Sequence, residues 1–173
     1  EGPVAVGTPV PLRWSVRGAE RVLVVAGEDE WEAPEEALAE GETELPAPRD
    51  GIFRLHAFGG GEEVEAEASV DARPLPLVLR FDLPAIVSRP EDAPARLVLG
   101  WEVRDAESLV LTGLASGPVE LEEAEGELEL EIEETTTLTL HAENAVGSAT
   151  ETRTVEVVEA AAILSFHADR PAV

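Results

Sequence analysis

One stretch of this chain is written twice. Leu12-Arg13-Trp14-Ser15-Val16-Arg17-Gly18-Ala19-Glu20 recurs as Leu99-Gly100-Trp101-Glu102-Val103-Arg104-Asp105-Ala106-Glu107, an offset of 87. Leu55-His56-Ala57 recurs as Leu140-His141-Ala142 at an offset of 85, and Val70 answers to Val155. Near the C-terminal end Leu164-Ser165-Phe166-His167 repeats Leu79-Arg80-Phe81-Asp82, again 85 apart. A fixed period constrains a fold more than any local signal, because each copy must be one structural unit. The 173 residues therefore hold roughly two units of about 85 residues and the start of a third.

Inside a unit the apolar residues have period two, the mark of half-buried strands. Leu97, Leu99, Trp101 and Val103 alternate with other residues, and Leu128, Leu130 and Ile132 alternate with Glu127, Glu129, Glu131 and Glu133. The pattern predicts strands near 77–83, 97–103, 107–112, 118–122, 127–134, 137–144 and 148–158. About seven short strands per unit, punctuated by turn signals, specify an all-β fold: two tandem sandwiches, each of two antiparallel sheets. Asn144-Ala145-Val146-Gly147 reads as a tight hairpin whose Gly takes a positive φ, and Gly59-Gly60-Gly61 does the same work in the first unit. Only Trp31 to Glu40 has helix-forming composition. Pro34 limits it to a short helix or an irregular crossover.

The charge balance excludes several partners. Thirty Glu and seven Asp face twelve Arg and no Lys, a formal net charge of −25. Such a surface repels polyanions, which argues against nucleic acid and anionic membranes. High charge with few aromatics is also a signature of disorder, but the 44% hydrophobic content is patterned into strands. With no Cys there is neither a disulfide nor a thiolate zinc site. No apolar run reaches membrane-spanning length. The chain opens on Glu1 without a signal-peptide pattern, so a mature or excised segment is the expectation.

The spacing now resembles a known group. Phe166 and Ala168, then Val4, Gly7, Val10, Leu12, Trp14 and Val16, the run Thr135 to Ala142, Asn144 with Gly147, and Val155 with Val157 together resemble bacterial immunoglobulin-like repeats of the cell surface. Arg89 to Pro94 departs from the pattern, replacing the glycine turn at the start of the second unit. The resemblance implies an extracytoplasmic stalk, adhesin or lattice module, and it brings no catalytic residues with it.

Residues able to do chemistry are few. His56 and His141 share a repeat position and fall between inward residues, so both should project outward; His167 stands near Asp169 in the terminal copy. Acid pairs are everywhere, and in Glu127-Leu128-Glu129-Leu130-Glu131 they lie on a wet face, not in the cleft that glycosidase chemistry needs. No Gly-x-Ser-x-Gly, phosphate-cradling glycine loop or His-Glu-x-x-His occurs. No cofactor is implied. Calcium has the best physical case among acid-based functions, with Asp71, Asp82, Glu91, Asp92 and Asp105 as candidates, although a soluble, self-repelling surface explains the charge without an ion. Trp14 and Trp101 lie on the inward register and read as core plugs. Trp31, in the acidic run Glu28-Asp29-Glu30-Trp31-Glu32, is a candidate contact for a glycan or protein, or equally a lid over the sandwich end.

The two ends of the chain fall at the same point of the repeat. Arg170-Pro171-Ala172-Val173 aligns with Glu1-Gly2-Pro3-Val4. The expected organisation is a first domain over 1–73 lacking its opening strand, a second over 74–159, and an orphan opening strand within 160–173. Two explanations follow: a fragment of a longer tandem array, or a subunit whose tail strand completes the first domain of the next copy, with Ile163, Leu164 and Phe166 making the contact. The expected function is thus that of a non-enzymatic extracellular structural protein that self-associates head to tail as a filament subunit. The alternative is a piece of an adhesin, surface-layer or secreted-enzyme protein acting as stalk or binding module. Absence of Lys, Gln, Cys and Met points to thermal durability or to codon bias.

Overall fold

The computed structural model describes residues 2–161. They form two compact units, one holding residues up to Pro76 with the segments Asp105–Glu107 and Glu143–Ser148, the other Leu77–Arg104, Ser108–Ala142 and the chain from Ala149 onward.

The first unit contains β1 (Val4–Ala5), β2 (Pro9–Ser15), β3 (Arg21–Ala26), β4 (Asp29–Glu32), β5 (Glu40–Pro46), β6 (Ile52–Gly59), β7 (Glu62–Ser69) and β8 (Ala72–Arg73). A four-stranded sheet of order β4-β3-β6-β7 faces the pair β2-β5, while β1 runs parallel to β8. Val24, Ala26, Leu45, Ala47 and Phe53 are buried between the two layers, with Val10, Leu12 and Trp14 of β2 packed against them. The hairpin between β6 and β7 is a two-residue turn in which Gly60 and Gly61 have φ of 59° and 81°. Two positive values in succession are the type I′ geometry that matches the strand twist, and glycine alone adopts it freely.

The second unit contains β9 (Leu77–Asp82), β10 (Ile86–Arg89), β11 (Ala95–Arg104), β12 (Ser108–Thr112), β13 (Val119–Glu120), β14 (Glu125–Ile132) and most of β15 (Thr136–Asn144) and β16 (Gly147–Glu159). Its sheets have the orders β14-β11-β9 and β10-β16-β15-β12-β13. The inward positions of both sheets are buried: Leu97, Leu99, Trp101 and Val103 from β11, Leu109 and Leu111 from β12, Leu138, Leu140 and Ala142 from β15. Every Glu from Glu125 to Glu131 on β14 is exposed, as the alternation requires.

Two local expectations need correction. The hairpin at 144–147 takes no positive φ at Gly147. Asn144 holds the turn instead, its Oδ1 accepting the N–H groups of Val146 and Gly147 at 3.0 and 3.1 Å. Trp31 lies not in a loop but on β4, opposite Val24. The stretch after it is a single 3-10 turn, Glu35–Ala37, starting directly after Pro34. No helix among the described residues is long and apolar enough to cross a membrane.

Candidate functional site

The two units differ at one strand position. In the second, β11 lies between β14 and β9. In the first, the equivalent β2 has β5 as its one partner among the described residues, and nothing described stands where β9 stands. A groove of about 550 Å³ opens there, lined by apolar side chains and by Arg13, Arg17, Arg54, Glu65 and Glu67. Leu12, Trp14 and Val16 of the β2 edge form one wall, and Val64, Ala66 and Ala68 of β7 the other. Val24, Phe53, Leu55 and Ala57 make the floor.

Equivalent residues differ in burial. Leu99, Trp101, Val103 and Leu140 are 0%, 5%, 3% and 0% exposed. Their counterparts Leu12, Trp14, Val16 and Leu55 are only half-buried. Side-chain type and strand period are shared, and among the described residues no strand lies beside β2 on the side away from β5. All eight residues of β7 are exposed, Val64 at 61%.

The two tryptophans have similar surroundings. Trp14 Nε1 donates to the Ala37 carbonyl at 2.9 Å, and Trp101 Nε1 donates to the Glu123 carbonyl at 2.9 Å. Each indole lies over the glycine opposite it on the neighbouring strand, Gly41 and Gly126. A Cβ would sit 2.2 Å from the Trp14 ring at 41 and 2.7 Å from the Trp101 ring at 126, so both sites require glycine unless the ring moves. Val16 N–H donates to Ala39 O at 2.7 Å as Val103 N–H does to Ala124 O at 2.8 Å.

Trp31 is half-buried on β4. Its ring meets that of Trp14 edge-on, centroids 5.5 Å apart at 60°, and packs against both buried clusters of the first unit. Ile163, Leu164 and Phe166 lie outside the described residues. The groove wall on β7 is not apparent from the sequence pattern, although Val64, Ala66 and Ala68 alternate with Glu63, Glu65 and Glu67. So did the second repeat signature, Ala39-Glu40-Gly41-Glu42-x-Glu44-Leu45, which recurs as Ala124-Glu125-Gly126-Glu127-x-Glu129-Leu130 at an offset of 85.

Some polar and charged groups elsewhere form surface pairs. His56 Nδ1 lies 2.8 Å from Glu63 Oε1 and His141 Nδ1 3.0 Å from Thr150 Oγ1. Arg21 holds the Glu32 carboxyl below the usual carboxylate range, first through its hydrogen bond and second through its charge. Among the described residues no group of three His, Asp or Glu side chains converges on a metal position, so the calcium candidates are not brought together.

With the strand orders in hand, comparison with solved structures is decisive for the fold. An I-band fragment of titin superposes with a TM-score of 0.52 at 14% identity, over 91% of this chain and 62% of that one. The two-domain immunoglobulin segment of DIP-gamma gives 0.53 at 12% identity, over 91% and 92%. The chain is a tandem of two immunoglobulin-like sandwiches. At such identities the likeness shows the fold alone. No family model and no curated protein matches the sequence.

Proposed function

We propose that the chain is a non-enzymatic structural protein of the cell surface or extracellular space, whose tandem modules join head to tail by donor-strand complementation. The C-terminal segment of one copy completes the first sandwich of the next. One observation carries this reading: β2 presents an open edge above the groove at the place that β9 fills in the second unit. An unpaired edge beside unfilled apolar surface is a liability, and a supplied strand removes both at once. Main-chain hydrogen bonds would give affinity and alternate side chains specificity. Donor and acceptor are different surfaces, so the contact propagates into an open filament. The bacterial cell-surface setting rests on the motif resemblance alone.

Charge sets the conditions. Copies carrying −25 repel one another, and salt shortens the reach of that repulsion from about 30 Å at 0.01 M to about 10 Å at 0.1 M. Self-association should therefore strengthen with added salt. Light scattering across a concentration series, with electron microscopy of the largest species, tests the reading. Linear oligomers that lengthen with salt support it. A monomer at every concentration and salt level contradicts it, and leaves the alternative of a stalk or binding module within a longer surface protein.

A further inference from the structure

We infer that the exposed edge of β16 pairs with the same edge of a second copy, antiparallel about a two-fold axis at Thr152, with Glu151 of each strand opposite Arg153 of the other. β9 and β10 precede β16 in this sandwich, and both are seated elsewhere: β9 on β11, and β10 beside Glu156 to Glu159 of β16 alone. From Gly147 to Val155 the strand has β15 on one side and, among the described residues, no strand on the other.

The hydrogen bonds at the end of β16 fix which way its main chain points. Glu156 N–H donates to Ala85 O at 2.8 Å and Ala160 N–H to Arg89 O at 2.9 Å, whereas Val157 N–H donates to Thr135 Oγ1 at 3.2 Å, on the β15 side. Outward side-chain pairs keep the alternation unbroken back along the strand: Thr154 with Thr137 at 2.9 Å, Thr152 with Thr139 at 3.1 Å, and Thr150 with His141 Nδ1 at 3.0 Å. The N–H and C=O groups of Thr150, Thr152 and Thr154 therefore point to the open side. Two-fold pairing about Thr152 satisfies them, Thr152 bonding to its own counterpart and Thr150 to Thr154.

Side chains choose the register. Glu151 and Arg153 share the other face of the strand, Oε2 and Nη1 2.8 Å apart. Rotation about Thr152 sets each acid against the second copy's base and places Thr opposite Thr on the outer face. A slip of two residues sets Glu151 against itself in one direction and Arg153 against itself in the other. With one acid and one base, the stretch Gly147 to Val155 is neutral in a chain of charge −25.

The first sandwich has the opposite arrangement at the same place. β7 ends its sheet, and at an offset of 85 Glu65, Glu67 and Ser69 stand for Thr150, Thr152 and Thr154. Self-pairing about Glu67 would set two carboxylates face to face. Charged side chains on an edge guard against such pairing. β7 carries Glu62, Glu63, Glu65 and Glu67, whereas β16 has hydroxyls and a self-complementary ion pair in their stead. The contact is isologous and closes on itself, so it stands or falls apart from the open head-to-tail contact proposed above.

The chain has no cysteine, so disulfide trapping reads the contact cleanly. Directly opposed residues of an antiparallel pair have Cα atoms about 4.5–5.5 Å apart, within disulfide reach. Full-length Thr152→Cys should give a covalent dimer under gentle oxidation, and Glu67→Cys none. No dimer at 152, or as much at 67, would overturn the inference. Glu151→Cys and Arg153→Cys proteins, once mixed, should link to each other more than either links to itself; the reverse would overturn the register. Sedimentation equilibrium then reads charge reversal. Glu151→Arg alone and Arg153→Glu alone should each dimerise about tenfold more weakly, because two opposed pairs turn repulsive at once. Mixed together, the same two variants should recover as a heterodimer. Both side chains are exposed, so neither change threatens the fold. Unchanged dimerisation of the single variants, or no recovery in the mixture, would overturn the charge pairing.

Discussion

The two sandwiches share their Trp-centred core and differ in whether a strand covers it. In the second, β9 lies on β11 and Phe81 closes the core beside Trp101. In the first, the same positions line a groove, and Trp14 is half-buried over the same kind of glycine as Trp101, its indole N–H likewise donating to a backbone carbonyl. Local sequence thus sets which way a side chain points. How much of it is buried is set by a neighbour that need not be adjacent in the chain.

The hardest way to break this difference is to remove the neighbour that the second unit possesses. Phe81→Ala should cost the second sandwich about 3–5 kcal/mol, as large-to-small core changes do, and leave the unfolding transition of the first unmoved. Calorimetry on the full chain reads the two transitions, and a shift of both would mean that the units do not melt separately. The matched pair Leu99→Ala and Leu12→Ala should differ next most. Leu99 is fully buried and should cost about 2–5 kcal/mol, while half-buried Leu12 should cost less than half as much. Equal losses would show that the groove is closed in solution. Gly126→Ala and Gly41→Ala come third. Overpacking costs about 1–3 kcal/mol, and the loss should be larger at 126, where Trp101 is held under Phe81, than at 41, where Trp14 can tilt into the groove. Tryptophan emission should shift to the red in Gly41→Ala if the ring moves outward.

Much of this was legible in the sequence. The repeat, the period-two pattern and the inward tryptophans each follow from side chains meeting a two-faced sheet. The glycine at 147 was misread because an Asn side chain can satisfy turn amides without a left-handed residue. Trp31 was misplaced because Glu28, Asp29, Glu30 and Glu32 around it look like a loop, yet on an edge strand those acids all face water while one ring turns inward. The β7 wall stayed hidden because alanines carry too little apolar signal to register against flanking glutamates.

A smaller contrast lies on the outer faces. The first unit links β3 to β4 through Arg21 and Glu32, with Nε to Oε1 at 2.9 Å and Nη2 to Oε2 at 3.2 Å. The folded Glu32 carboxyl titrates below its usual range, so its contribution is full above that range and is lost as pH falls through the lowered value. Glu32→Gln should remove that small acid-side loss from the first transition and leave the second unchanged, as differential titration of the two melting points would record. Both groups are exposed, so this is the weakest effect.

The open edge itself can be measured directly by amide hydrogen exchange at a concentration where the chain is monomeric. The N–H groups of residues 13–17 that point away from β5 should exchange rapidly, while the corresponding groups of residues 100–104, paired with β9, should be protected to the stability of their unit. Equal protection of the two stretches in the monomer would contradict an incomplete first sandwich and, with it, a groove waiting for a strand.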